Sequence, residues 1–280
     1  KIRARGEAIK GVDGRAGGVL PIMKIMEDTF SYANQLGQRP GAGAVYLNIF
    51  HSDIEEFLDC KKINVDEKVR IKSLSIGIIV PDKFMELAEK DEPCYLIYPH
   101  TVYQEYGQYL DEMDMDQWYD ELITNANVKK KKVNARHLLV KIAQTQKESG
   151  YPYIFFKENT NRAHALNGIG KVKFSNLCTE IMQVSEVSDI EIYGKEDQIR
   201  YGISCNLGSL NIATVMDNKR IKESVKTAMR ALTVVSDVTD IAMVPSIAKA
   251  NRELHSVGLG AMNLHGYLAK SFIMYESHEA

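Results

Sequence analysis

Three side chains able to do chemistry together lie in one short segment, Phe174-Ser-Asn-Leu-Cys-Thr-Glu-Ile181. In an extended chain, residues at i, i+2 and i+4 point the same way. The spacing therefore predicts that Asn176, Cys178 and Glu180 share one face, with Leu177, Thr179 and Ile181 anchoring the other. An amide, a thiol and a carboxylate presented together make a candidate catalytic group. Against it stands the commoner reading, a buried cysteine beside a cap or turn. A second thiol, Cys205, follows 27 positions later in Tyr201-Gly-Ile-Ser-Cys-Asn-Leu-Gly-Ser-Leu210. No histidine lies near either cysteine in sequence, which weighs against a cysteine-dependent hydrolase, although the fold could bring one in. Two thiols and one carboxylate without a base point to redox chemistry.

Two early glycine-rich loops are candidates of another kind. Arg3 and Lys10 lie in the first, and Gln35 and Arg39 in or beside the second. Glycine lets backbone N–H groups approach a phosphate closely, and flanking cations add charge. On composition alone, surface turns are an equal reading. Lys129 to Lys132 reads as a solvated helix start beside the acidic stretch 111–116. The seven histidines show no HExxH pattern and no paired spacing with cysteine, so no metal site is expected. Gly258-Leu259-Gly260 lacks the third glycine of a dinucleotide fingerprint and reads as close helix packing.

These groups need a scaffold, and the apolar pattern supplies one. Ile22, Ile25, Met26, Phe30, Ala33 and Leu36 recur at helical spacing over Val19 to Leu36, and Gly37 stops that helix. Residues 1–18 read as a mobile basic loop. Strands are predicted over 44–50, 75–80, 95–98 and 153–156, with a strand start at 202–206. Ser52 and Glu55 form a capping-box signature for a short helix through Asp59. Helices are predicted over 81–90, 101–124, 134–149, 219–240 and 257–269. Strands apolar on both faces and alternating with helices imply a mainly parallel sheet covered by helices, in a single α/β domain.

Composition narrows the function. The 280 residues are 45% hydrophobic and 26% charged, as in a globular protein. Thirty-five basic against 37 acidic residues leave a formal charge of -2, which argues against nucleic acid as the main partner. The longest apolar runs, such as Ile76 to Val80, are too short to span a bilayer, and the start has no signal-peptide pattern. No membrane association is expected. Four scattered cysteines do not make a secreted disulfide scaffold, so a cytoplasmic setting is expected.

Asn176-Leu-Cys-Thr-Glu-Ile181 resembles the radical-cysteine motif of the large, catalytic subunit of ribonucleotide reductases. Ile2-Arg-Ala-Arg-Gly6, Gln35-Leu-Gly-Gln-Arg-Pro-Gly-Ala-Gly43 and Ser204-Cys-Asn-Leu-Gly-Ser-Leu-Asn211 fit the same family in the same order. The wording is most similar to the class Ib form. The resemblance implies part of a ten-stranded α/β barrel, helices outside, with Cys178 at the tip of a central finger loop. It implies that Cys178 becomes a thiyl radical and takes the 3′ hydrogen of a ribonucleoside diphosphate. Glu180 would then be general base on the 3′ hydroxyl, Asn176 would orient substrate and Glu180, and Cys205 would be one of two reducing thiols.

The same resemblance places Arg3 and Lys10 at the phosphates of an allosteric ATP or deoxynucleotide effector. Gln35 and Arg39 would lie in the loop carrying effector identity to the substrate base. Cys60 and Cys94 match no functional position and are expected to be structural. Implied partners are a radical-generating small subunit with a dinuclear metal, a second large subunit, and a thioredoxin- or glutaredoxin-like reductant. The partner cysteine of Cys205, the substrate-diphosphate loop, the paired radical-path tyrosines, the C-terminal shuttle cysteines and an ATP cone are not found in the sequence. Residues 1–280 are therefore expected to be a central segment of the barrel, open at both ends, that completes catalysis only with the rest of a longer or split subunit. The alternative is an effector-binding or dimerising segment without turnover of its own.

Overall fold

Apolar residues at three- and four-residue intervals build α1 (Leu20–Tyr32), with Pro21 in the first turn, where its missing N–H costs little. The computed structural model describes residues 2–280 and divides into two compact units, one ending at Met182 and one spanning Gln183–Ala280. In the first unit α1 is followed by β1 (Ala44–Asn48), α2 (Ile54–Asp59), β2 (Ser75–Ile79), α3 (Asp82–Glu89) and β3 (Pro93–Ile97). Next come α4 (Pro99–Tyr106), α5 (Met115–Thr124), β4 (Lys130–Asn134), α6 (Ala135–Ser149), β5 (Tyr153–Phe155) and α7 (Lys157–Ala163).

Strands β1, β2 and β5 form a parallel sheet in that order. Because side chains alternate across a strand, its two faces do different work. Val45, Leu47, Ile76, Ile78 and Ile154 turn to the large core shared with the helices. Tyr46, Ile79 and Phe155 turn to a small second core with Val172 and Met182. That second face carries the candidate site.

In the second unit, β6 (Asn206–Asn211), α8 (Ile212–Asp217), α9 (Ile221–Val238), α10 (Pro245–Leu254), β7 (Val257–Met262) and α11 (Leu264–Lys270) follow in order. Strands β6 and β7 pair in parallel. The α/β class holds. Among the described residues, however, the seven strands lie in three separate sheets, of three, two and two strands, and close no barrel.

Several local expectations are corrected. Helix α1 ends at Tyr32 rather than Leu36, because Gln35, Leu36 and Gly37 all have positive φ, which a right-handed helix cannot continue. Where a mobile basic loop is expected, residues 6–16 form a hairpin: Gly6 N–H donates to Ala16 C=O, Ala16 N–H to Glu7 C=O, and Ile9 pairs with Val12. The Ser52–Glu55 capping box does not form; Asp53 is the N-cap residue, and its carboxylate is engaged elsewhere.

The lysine run begins strand β4, not a helix; its antiparallel pairing with β3 provides the backbone partners, and lysines suit an exposed strand. The predicted 101–124 helix is two helices, because Gly107 closes α4 in the left-handed region and Asp114 caps α5. The strand predicted from Gly202 starts at Asn206. Residues 257–262 are strand β7, since Gly258 leaves room for Leu207 of β6, where a Cβ would come within 2.5 Å.

Candidate active site

The segment bearing Cys178 is tied down before it reaches the thiol. Asn161, on α7, donates from Nδ2 to the Val172 carbonyl at 2.8 Å and accepts the Val172 N–H on Oδ1 at 2.8 Å. Val172 is fully buried against Ile79 and Phe155. Beyond the thiol, Ile181 is buried, and Ser175 donates to its carbonyl at 2.7 Å. The approach to the segment is thus pinned at the sheet, and Ser175 ties to Ile181 across it.

Between them the chain turns. The extended alternation predicted for residues 174–181 is not found. Thr179 N–H donates to the Asn176 carbonyl at 3.3 Å, closing a four-residue turn with Cys178 third. Thr179 has φ +66°, a left-handed value that a β-branched residue rarely adopts. Asn176 Oδ1 accepts the N–H groups of Glu180 and Ile181, both at 3.1 Å. A turn, not strand alternation, therefore places Asn176, Cys178 and Glu180, with the Asn176 side chain bonded to the Glu180 backbone N–H. Cys178 and Glu180 are exposed, and Asn176 is half-buried. A turn closed on its own amide presents a thiol and a carboxylate to solvent from a fixed base.

Cys205 belongs to the second unit and immediately precedes β6. Its neighbour Ser204 is buried and paired with Gln183, whose Nε2 donates to the Ser204 carbonyl while Oε1 accepts the Ser204 N–H. Cys205 itself is an exposed thiol. Cys60 and Cys94 are buried, and burial pushes both thiols up to about 12, which suits a structural role.

Arg3 and Lys10 are exposed, Lys10 on the first hairpin and Arg3 just before it. Arg3 lines a cavity of about 230 Å³ with Pro99, His100, Tyr103 and Tyr109, and burial followed by the Arg3 charge lowers the His100 imidazole below its ordinary value. Two buried carboxylates hold this hairpin. Glu7 accepts the N–H of Ala4 and, across the gap to α4, that of His100. Asp53 accepts the N–H groups of Arg5 and Val19 and so closes the base. Gln35 and Arg39 are exposed on the loop after α1.

The family described as ribonucleotide reductase, barrel domain, matches residues 1–280. This chain belongs to the ribonucleotide reductase family. It is 57% identical, over its whole length, to subunit alpha of ribonucleoside-diphosphate reductase from Bacillus subtilis (strain 168), covering 40% of that protein. It is 47% identical to the Mycoplasma pneumoniae subunit alpha, again over its whole length and 39% of the relative. With the Treponema pallidum subunit alpha the identity is 31%. The chain spans about two-fifths of the length of the first two relatives.

Within this ribonucleotide reductase segment, the residues that place the turn and the hairpin escaped sequence reasoning. Tyr46, Glu7 and Asp53 act through contacts 34 or more positions away, and Asn161 through Val172, 11 positions away. Asp53 occupies the N-cap position of α2 in place of the expected Ser52, and its carboxylate accepts from residues 48 and 34 positions away. Among the described residues no three metal-ligating side chains cluster, and no helix is long and apolar enough to cross a membrane.

Proposed function

We propose that this chain is the segment of a class I large subunit, closest in wording to class Ib, that carries the hydrogen-abstracting thiol and one reducing thiol for ribonucleoside diphosphate reduction. The observation that carries this reading is the Asn176–Thr179 turn, which presents an exposed Cys178 thiol and, two residues on, an exposed Glu180 carboxylate from a base pinned to a parallel sheet. Cys178, once oxidised to a thiyl by a radical delivered from a metal-containing small subunit, takes the 3′ hydrogen and becomes a thiol again. A thiol S–H bond is weak enough for that exchange to reverse.

Glu180 accepts the 3′ hydroxyl proton as general base. Asn176 fixes Glu180 through the backbone N–H, which leaves the Glu180 carboxylate and the Asn176 Nδ2 donors for substrate. The 2′ hydroxyl leaves as water. Cys205 and a second thiol supply the two electrons and close to a disulfide, and exchange with a thioredoxin- or glutaredoxin-like dithiol reopens it. The second thiol and the remaining barrel strands come from the rest of a large subunit, so residues 1–280 alone do not turn over. Arg3 and Lys10 bind effector phosphates, and Gln35 and Arg39 relay effector identity, in a dimer of large subunits.

The test uses a full-length large subunit with its small subunit and a dithiol reductant. Cys178→Ser is expected to abolish nucleotide reduction with effector binding retained, because a hydroxyl O–H bond is too strong to replace the thiol. Cys205→Ser is expected to stop multiple turnovers. Peptide mapping of the oxidised enzyme should find Cys205 joined to a cysteine outside residues 1–280. Steady turnover by the Cys178 variant, or Cys205 always reduced or paired with Cys60, rules the reading out.

A further inference from the structure

Tyr46, Gly77 and Tyr153 form one lateral row across β1, β2 and β5. The middle position carries no side chain, and the Tyr46 ring lies over it: a Cβ on Gly77 would come 2.4 Å from a ring carbon of Tyr46. The ring stands edge-on to Phe155, with centroids 6.1 Å apart. This sideways placement takes the phenol to the turn that bears Cys178.

The Tyr46 hydroxyl is 2.7 Å from the Asn176 carbonyl oxygen and 2.7 Å from Thr179 Oγ1. A carbonyl can only accept, and a phenol has one proton, so Tyr46 donates to Asn176 and the Thr179 hydroxyl donates to Tyr46. The hydroxyl thus joins the first and last residues of the turn. The turn's own backbone bond, at 3.3 Å, is much longer than either contact. A β-branched residue at φ +66° persists only where its surroundings hold it. Burial pushes the Tyr46 phenol above its ordinary value, so it keeps the proton that this arrangement needs.

We propose that Tyr46 is a positioning residue for Cys178: its hydroxyl clips the Asn176 carbonyl to the Thr179 hydroxyl, in space that Gly77 leaves open, and keeps the thiol-bearing turn closed. The inference rests on reading Cys178 as the reacting thiol. Tyr46 touches neither substrate nor the reacting atoms; it acts through the turn.

The test again uses the full-length subunit with its small subunit and reductant. Tyr46→Phe keeps the ring and its packing. It should lower kcat roughly ten- to thirtyfold, the factor of the two hydrogen bonds its hydroxyl makes, with KM and effector affinity unchanged. Amide exchange at Thr179 to Ile181 should quicken by a similar factor. Thr179→Ser keeps the hydroxyl and should behave as wild type, whereas Thr179→Val, which loses only one of the two bonds, should move kcat and exchange the same way by a smaller factor, and the double variant should be no worse than Tyr46→Phe. Gly77→Ala, which pushes the intact phenol aside, should give the same exchange pattern. Wild-type kcat and exchange in Tyr46→Phe, or a loss of folded protein with kcat per folded enzyme unchanged, overturns the proposal. Should Cys178→Ser be inactive while Tyr46→Phe is normal, only the clip fails. Should Cys178→Ser turn over, the reading of the thiol fails, and the exchange rates alone decide whether the clip exists.

Discussion

Asn161 grips the backbone of Val172 from both sides, with two hydrogen bonds of 2.8 Å closing a ring between side-chain amide and main chain. Val172 is fully buried, so no water can replace these partners. Asn161→Ala leaves a buried N–H and a buried C=O unmatched and should destabilise the fold by roughly 2–4 kcal/mol. The direct check is amide exchange at Val172, which should speed up with the loss in urea midpoint. A wild-type exchange rate at Val172 in the alanine variant contradicts the clamp.

Glu27 gives a pH dependence with a definite sign. Burial alone would raise its carboxyl, but the Lys24 ammonium and the N–H groups of Ser73 and Leu74 outweigh burial and hold it at about 2. A carboxyl depressed on folding contributes stability above its unfolded value of 4.5 and loses it as pH falls towards 2. Glu27→Gln should therefore cost roughly 3 kcal/mol at pH 7, and the gap between variant and wild type should close between pH 4.5 and 2. Urea unfolding of both proteins across that range measures it, and a gap independent of pH contradicts the assignment.

The four thiols should separate by reactivity. Cys178 and Cys205 are exposed, whereas burial holds Cys60 and Cys94 at about 12 and out of reach of solvent. Brief treatment of the native protein with iodoacetamide at pH 8 should label the first two. The other two should react only after unfolding. Mass spectrometry of the peptides decides, and early labelling of Cys60 or Cys94 counts against their structural role.

The residues proposed to bind effector should divide by what they read. Arg39→Ala in a full-length subunit should reduce effector-dependent discrimination between substrates roughly ten- to a hundredfold, the loss of one charge-assisted hydrogen bond. Arg39→Lys should not rescue it, because lysine lacks the planar fork. Arg3→Ala and Lys10→Ala should weaken binding of every effector alike, since phosphates carry no base identity. Effector titrations against four substrates separate these outcomes. An equal drop for every substrate in Arg39→Ala makes its loop merely structural.

Strand β2 was legible because five apolar or small residues run into Pro81, and α9 because its apolar spacing is sustained over 18 residues. The identities of Asn176, Cys178 and Glu180 could be read, but not how they meet. Leu177 and Thr179 favour a strand locally, and that preference was overridden by a hydroxyl 133 positions away, on Tyr46. Likewise Lys130 to Lys132 carry little strand preference; the pairing partner β3, more than 30 residues earlier, decides their conformation. Long-range hydrogen bonds leave no periodicity for a sequence pattern to reveal.

The two-faced sheet has a genetic consequence. Neighbouring codons in β1 and β2 answer to different demands. A change at Val45, Leu47, Ile76 or Ile78 strikes the large core and lowers how much folded protein a cell holds. A change at Tyr46 or Gly77, one position away, falls on the side that supports the thiol turn and lowers the work done per folded molecule. A saturation scan scoring abundance and growth separately should therefore alternate along these strands, with abundance lost at one codon and growth without abundance at the next.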